Sequence, residues 1–320
     1  MSFDILGTGS RVPRKVVTND DLTEFLDTSD EWIYTRTGIR KRHVLTDETL
    51  LDLAVGSAEI ALEDAKTSPS EIGFVLAATM RGDTVTPSFA FCVAEKLGIA
   101  APAFDVNAAC VGVLYCMELA DSLISTGKAD KILIVSAEAM SKLVDWNDRA
   151  SCVLFGDGSG AMVVGKGEGR LAGILSGKPD SVSIRMPSFE GESRFSEIKA
   201  EKMVMHMDGQ EVYKFAVNAM GHEIENVCQK AGIEPAEVDW FLPHQANVRI
   251  VDACQKKFKI EKSKVLMNIA EYGNMSATSI MVLLDEFAKK GTFHRGDKLL
   301  FVAFGGGLTS GALLIKWNKD

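Results

Sequence analysis

Three residues in this sequence combine a reactive side chain with a local setting that could put it to work: Cys110, His244 and Asn274. Cys110 ends the run Asp105-Val-Asn-Ala-Ala-Cys and precedes an almost wholly apolar stretch, Val111 to about Thr126, that stops at Gly127. The pattern predicts a helix with the cysteine at its start. A thiol placed there gains thiolate character from the helix dipole and the free backbone N–H groups. An unperturbed thiol is only a few per cent ionised at neutral pH. Cys92, Cys116, Cys152, Cys228 and Cys254 read instead as small buried hydrophobes. His244 lies in Leu242-Pro-His-Gln-Ala-Asn247, where a strand gives way to a helix. Sites collect at that end of an α/β sheet, although such a histidine can also cap a turn. Asn274 lies in Glu271-Tyr-Gly-Asn-Met-Ser, ahead of a helix from about Ala277 to Lys290. The Gly305–Gly307 run either closes a tight turn between strands or bares a backbone N–H to a developing oxyanion.

Cysteine, histidine and asparagine also serve papain-like hydrolases. The Cys-to-His interval fits their spacing of ~130–150 residues, but the Cys-to-Asn interval overshoots it and the Cys-Gly-Ser/Ala-Cys-Trp/Tyr signature is absent. A thiolase would need a second cysteine late in the chain, and none follows Cys254.

Strand-like apolar runs alternate with helical patterns along the whole chain, which argues for α/β layering. A stronger signal is an internal repeat. A helical stretch opening at Ala54-Val55 and the strand Ile72-Gly-Phe-Val-Leu-Ala-Ala have counterparts in a stretch opening at Ala216-Val217 and the strand Val238-Asp-Trp-Phe-Leu-Pro. Lys131-Ile-Leu-Ile-Val-Ser matches Lys298-Leu-Leu-Phe-Val-Ala, and Ser159-Gly-Ala-Met-Val-Val matches Ser310-Gly-Ala-Leu-Leu-Ile. These ordered matches predict a duplicated fold, residues 1–168 and 169–320, with the boundary near Gly167–Leu171. Strands are expected near 3–8, 74–79, 103–106, 131–137 and 160–165, then near 171–176, 239–243, 265–268, 298–303 and 311–317. In this register Cys110 and Asn274 are counterparts at loop-to-helix junctions.

Composition bounds the class. A chain of 320 residues that is 46% hydrophobic and 25% charged can bury a large core. Its net charge of −9 offers no general basic field for nucleic acid. Met1-Ser-Phe-Asp-Ile-Leu-Gly carries no signal-peptide pattern, and no run approaches the ~20 apolar residues a bilayer span requires. Six irregularly spaced cysteines read as reduced thiols, and five histidines without matching cysteine spacing predict no metal site. The expectation is a soluble cytoplasmic protein that engages neither nucleic acid nor membrane.

Together with Asp27-Thr-Ser-Asp-Glu-Trp-Ile, Arg36-Thr-Gly-Ile-Arg, Asp148-Arg149 and Val153-Leu-Phe-Gly-Asp-Gly, these motifs resemble the β-ketoacyl-acyl-carrier-protein synthase III family from about residue 4 to 317. The resemblance implies an α/β architecture of the duplicated thiolase-like fold, with two mixed five-stranded sheets and helices in α-β-α-β-α layers, assembled as a homodimer. It implies an acyl-CoA primer condensing with malonyl-acyl carrier protein, the coenzyme A thioester being a substrate and no cofactor being needed. By motif, Cys110 would take the acyl group, and the N–H groups of Cys110 and Gly306 would form the oxyanion hole. His244 and Asn274 would hydrogen-bond the malonyl thioester carbonyl as CO₂ leaves. Trp32 and Arg149 would sandwich the CoA adenine, with Arg36 near its phosphates and Asn247 in the same substrate-binding set. A secondary-metabolism relative that passes the acyl group to a different acceptor would keep the same three residues.

Departures from the family pattern bear on the primer. Ser310 stands where members often carry Trp, the segment from Gly177 to Arg185 lacks an Asp-Gly turn, and Thr86 precedes Pro87 where acetyl-selective members place Phe. The smaller Thr86 leaves room in the acyl pocket for a longer or branched primer. On the helix after Asn247, Ile250, Val251, Cys254 and Phe258 form an apolar stripe, while Arg249 and Lys256 share another face with Lys257 beside it. With Lys214, these form the expected dock for an acidic carrier protein. Charge reversal at Arg249 is expected to weaken use of acyl carrier protein while sparing acylation by CoA thioesters. Separate kinetics of the two half-reactions check this, and equal loss of both would refute it.

Overall fold

The computed structural model describes residues 2–188, 194, 195 and 201–319. One sheet contains β1 (Ser2–Arg11), β2 (Phe74–Ala78), β3 (Ala103–Val106), β4 (Lys131–Ala139) and β5 (Asp157–Gly167), in the order β1-β5-β4-β2-β3. Strand β2 runs parallel to β3 and β4, while β5 is antiparallel to β1 and β4. A second sheet contains β6 (Arg170–Asp180), β7 (Trp240–Pro243), β8 (Lys298–Gly305) and β9 (Gly307–Lys316), in the order β7-β8-β9-β6. The two orders superpose when β6 is set on β1, β9 on β5, β8 on β4 and β7 on β2.

The fifth strand expected near 265–268 does not form, so the second sheet is four-stranded. Val265 makes a single bridge to Phe241, and Leu266 N–H still donates to the Phe241 carbonyl at 3.0 Å. Beyond that point the N–H groups of Asn268 and Ile269 turn to Gln245 Oε1, each at 3.2 Å. A buried side-chain amide takes over what a ladder would supply, because every buried backbone donor must find a partner. The turn missing after Gly177 is also accounted for. Strand β6 runs on to Asp180, whose Oδ1 accepts from the N–H groups of Val182 and Ser183, each at 2.9 Å, an aspartate turn that needs no glycine.

Helices fill three layers: α1 (Asp30–Thr37), α2 (Leu50–Asp64), α3 (Phe89–Leu97), α4 (Gly112–Ser125), α5 (Gly209–Ala231), α6 (Val248–Phe258) and α7 (Thr278–Lys289). Between the sheets lie α4 and α7, where Leu114, Met117, Ile280 and Leu284 pack with Ile134 and Met162 of one sheet and Phe301 and Leu313 of the other. A helix apolar all round must be buried all round, and residues 278–285 of α7 are. Helices α2 and α3 cover the outside of the first sheet, α5 and α6 that of the second. The stripe read on α6 holds: Ile250, Val251 and Cys254 are buried, and Arg249, Lys256 and Lys257 are exposed. Among the described residues no helix is long and apolar enough to cross a membrane.

Polar ties pin α7 to the first sheet. Thr8 and Ser10 donate to the buried Asp285 carboxylate, and Ser136 shares a 2.9 Å hydrogen bond with Thr278 at the start of α7. The contact is close enough to demand glycine at 160, where an added Cβ would lie 2.4 Å from Met281 Cβ. Gly160→Ala is therefore expected to destabilise the fold by about 1–3 kcal/mol through overpacking, measured by urea unfolding.

Candidate active site

Cys110 sits in a tight turn, Ala109–Val111, that leads directly into α4. The residue before it, Ala109, has φ +45°, a left-handed conformation that an alanine adopts only when its surroundings impose it. The Gly305–Gly307 turn between β8 and β9 presses on this junction: a Cβ at Gly305 would lie 2.9 Å from Cys110 N and 3.1 Å from Cys110 Cβ. Any side chain there would push the Cys110 backbone aside. Gly306 sits next to Ala109, its hypothetical Cβ 3.7 Å from that of Ala109.

His244 directly follows β7, its N–H donating to the Val302 carbonyl at 2.8 Å. The motif around it is explained residue by residue. Gln245 ties the loop to Asn268 and Ile269, and Asn247 caps α6 by accepting from Arg249 N–H at 2.9 Å. The His244 ring is buried edge-on to Phe304, with centroids 5.5 Å apart, and neither ring nitrogen has a hydrogen-bond partner. Burial lowers its pKa to about 3, so the imidazole is neutral at physiological pH. Asn274 is held by its backbone, N–H to Leu154 O at 2.8 Å and C=O from Gly156 N–H at 3.1 Å. Its side-chain oxygen accepts from Ser276 N–H at 2.8 Å, which leaves the carboxamide NH₂ as a donor.

These residues converge. Phe304, against His244, adjoins Gly305, against Cys110. Ser276, two residues after Asn274, donates to Cys110 Sγ at 3.5 Å. The equivalence drawn between Cys110 and Asn274 shifts by two residues, since Ser276 stands as far before α7 as Cys110 does before α4. Ser276 also has a left-handed backbone, φ +53°. Sequence reasoning missed it, although its motif was in view, and missed Glu138, wholly buried at the end of β4 with an electrostatic influence on Cys110.

The thiol does not carry the lowered pKa expected of a helix N-terminus. Desolvation outweighs the Ser276 hydrogen bond and, with nearby Glu138, raises Cys110 to about 11. Cys110 nonetheless keeps part of its surface exposed. Cys110 is thus a thiol at neutral pH.

A cleft of about 600 Å³ runs from Trp32 and Arg36 to Asn274 and Phe304, with Asn247, Arg249 and Lys214 along it. Arg36 and Arg149 both lie over the Trp32 ring, 4.6 and 5.1 Å from its centroid, and Arg149 Nη1 donates to Asp27 O. Lys256 and Lys257 lie on the exposed side of α6 outside the cleft, and Thr86 lies on an exposed loop that does not line it. Ser310 is buried and donates to Glu223 at 2.8 Å, a polar pair in place of an aromatic side chain. Among the described residues no cluster of three His, Cys, Asp or Glu is arranged to hold a metal ion.

Family models match this chain twice: 3-oxoacyl-[acyl-carrier-protein] synthase III over residues 104–181, and the C-terminal part of the same family over residues 228–317. A β-ketoacyl-[acyl-carrier-protein] synthase III of Desulfitobacterium hafniense is 45% identical over 334 residues, covering 100% of this chain and 99% of the relative. The crystal structure of 3-oxoacyl-[acyl-carrier-protein] synthase III from Aquifex aeolicus is 41% identical and superposes with a TM-score of 0.92, covering 98% of this chain and 99% of that one. The priming β-ketosynthase of the R1128 polyketide pathway superposes equally well, TM-score 0.93, at 30% identity over 99% of this chain and 96% of its own.

The His244 shift has a consequence for stability. Its folded pKa lies below the ordinary 6.5, so between about 3 and 6.5 the unfolded chain binds a proton that the folded chain does not. Stability is therefore lost as pH falls through that window, by up to about 1.4 kcal/mol per pH unit from this residue. Urea unfolding of wild type and His244→Asn between pH 4 and 7 is expected to give the variant the flatter profile.

Proposed function

The chain belongs to the β-ketoacyl-acyl-carrier-protein synthase III family, and from that premise we infer how its own residues carry out the family's reaction. An acyl-CoA primer acylates Cys110, and the acyl group then undergoes decarboxylative condensation with malonyl-acyl carrier protein to give a 3-oxoacyl-acyl carrier protein, the initiating step of fatty-acid synthesis. The enzyme is an acyltransferase that uses the coenzyme A thioester as substrate and calls on no cofactor.

The observation that carries this reading is a pair of neutral donors, Asn274 lining the cleft and His244 buried against Phe304, which lines it too. Loss of CO₂ from a malonyl thioester places negative charge on the thioester oxygen, and what that oxygen needs is N–H groups already aimed at it. A buried, uncharged His244 with unpartnered ring nitrogens and an Asn274 whose oxygen is already engaged, leaving only its NH₂ to give, fit that demand. The first half-reaction uses Cys110, its N–H and that of Gly306 receiving the tetrahedral oxygen. Trp32, Arg36, Arg149 and Asn247 hold the nucleotide end of CoA at the mouth. Arg249 and Lys214 at the mouth, with Lys256 and Lys257 on the same helix as Arg249, receive the acidic carrier protein.

Two organisational readings accompany this. Residues 1–168 and 169–320 are taken as the duplicated units, on the matching strand orders. A cytoplasmic homodimer is taken to form over the free edge of β3, where Phe91 and Phe104 are 48% and 38% exposed and Val85 is 91% exposed. Thr86 lies beside Val85, so in such a dimer it faces a partner rather than its own cleft.

Intact-mass spectrometry after incubation with a panel of acyl-CoAs tests the first step. An acyl adduct is expected on wild type and none on Cys110→Ala, with the adduct rates ranking the primers. His244→Ala and Asn274→Ala are each expected to keep the adduct and to lose condensation with malonyl-acyl carrier protein by about 10²–10³-fold. Absence of an adduct on wild type across the panel would sink the assignment.

A further inference from the structure

We propose that Gln245 is a positioning residue for the second half-reaction: its buried carboxamide stands between two chain segments as a spacer and so sets the gap between the His244 and Asn274 donors. The inference rests on those two side chains serving the malonyl thioester oxygen. Two segments run side by side toward them. One is β7, which ends at Pro243 with His244 next. The other is Val265 to Asn268, which leads through a single helical turn, Ile269–Tyr272, to Gly273 and Asn274. They are bridged in parallel at Phe241 and Val265, where Leu266 N–H donates to Phe241 O at 3.0 Å.

In a parallel ladder the next bond on that side would come two residues later, from Asn268 N–H to Pro243 O. Instead both groups end on Gln245. Asn268 N–H donates to Gln245 Oε1 at 3.2 Å, Ile269 N–H donates to the same oxygen at 3.2 Å, and Gln245 Nε2 donates to Pro243 O at 2.8 Å. Pro243 has no N–H to return to the Leu266 carbonyl, so the ladder is already weak at this rung. A side-chain amide has the hydrogen-bonding form of one peptide group. Interposed in the ladder, it parts the two segments by one strand spacing, ~4.8 Å.

The second segment is anchored elsewhere. Asn268 Nδ2 donates to Glu286 on α7 at 2.9 Å, and Asn274 is fixed by Leu154 and Gly156. What the Gln245 amide sets is therefore where the His244 loop lies against a fixed Asn274. The same side chain closes the backbone over His244, since Nε2 of residue 245 holds the carbonyl of residue 243. None of these hydrogen bonds involves Cys110 or the Gly305–Gly307 turn.

Single-turnover kinetics separate the two steps: acylation of Cys110 by an acyl-CoA, then condensation of the pre-formed acyl-enzyme with malonyl-acyl carrier protein. Gln245→Met keeps the length without the amide, and Gln245→Asn keeps the amide one methylene shorter. Both are expected to acylate at the wild-type rate and to condense about 10–10²-fold more slowly. Gln245→Glu still accepts both N–H groups at full reach, and is expected to lose less than Gln245→Asn. In crystal structures of Gln245→Met and Gln245→Asn, Asn268 N–H is expected to close on Pro243 O. A merely structural role would lower both half-reactions together and rank the variants by melting temperature. Should Gln245→Met not fold, Gln245→Asn carries the test. Condensation at the wild-type rate in Gln245→Asn, equal loss of both half-reactions, or an Asn268 N–H that stays out of reach of Pro243 O would overturn the proposal. A wild type that is acylated but does not condense with malonyl-acyl carrier protein, while Asn268 closes on Pro243 O in the variants, strikes the reading of the acceptor and leaves the spacer standing.

Discussion

The site depends on one close contact, the backbone of the Gly305 turn against the backbone of Cys110. The turn belongs to the β8–β9 hairpin of the second sheet, and the cysteine to the loop that leaves the first. Helices α4 and α7 share the core between the sheets, and the residues just before them, Cys110 and Ser276, meet. Glycine at 305 removes the only atoms that would keep the turns apart. Phe304 then carries the contact one residue further to His244, and Ser276, at the head of α7, completes the ring on the other side of the sulfur. Close packing of this kind leaves little slack, since interiors are packed as densely as organic crystals.

Burial also sets the electrostatics. His244, Cys110 and Glu138 are all held in their uncharged forms at neutral pH by the same cause, the loss of water around them. A site that starts neutral has no fixed charge to compete with the one that develops during reaction. Its dipoles, the free imidazole nitrogens and the Asn274 amide, are worth more there than they would be in solvent. The mouth is different in character. Arg36, Arg249 and Lys214 line the open part of the cleft instead.

Much of this arrangement could be read from the sequence, and what could not has definite causes. The strands of the first sheet and most of the second followed from apolar runs, because a buried strand leaves a continuous hydrophobic signature. The run at 265–268 carried that signature too, yet after Leu266 the N–H groups of Asn268 and Ile269 are claimed by Gln245 from another segment, a choice made by tertiary contact. The stripe on α6 was legible because helical periodicity is local. Glu138 was not, since a single acid inside Ile-Val-Ser-Ala-Glu-Ala looks like an interruption of the strand until its burial is known. Ser276 was overlooked beside Asn274 because its importance lies in a left-handed backbone and a hydroxyl aimed at another segment. The thiol's ionisation was misjudged for a related reason: the helix start was local and visible, while the desolvation that outweighs it comes from residues far away in the chain.

The three buried groups also load the fold in opposing directions. Glu138 is raised from 4.5 to about 8, so from 4.5 upward the folded chain holds a proton the unfolded chain releases, and stability falls as pH rises. His244 is depressed, so between about 3 and 6.5 its contribution falls as pH drops. Between 4.5 and 6.5 the two slopes have opposite sign and largely cancel. Above 6.5 only the Glu138 slope remains, until it ends near pH 8, and the raised Cys110 adds a further loss toward 11. These buried groups thus cost the fold least in a mildly acidic range, where the losses from Glu138 and His244 offset one another.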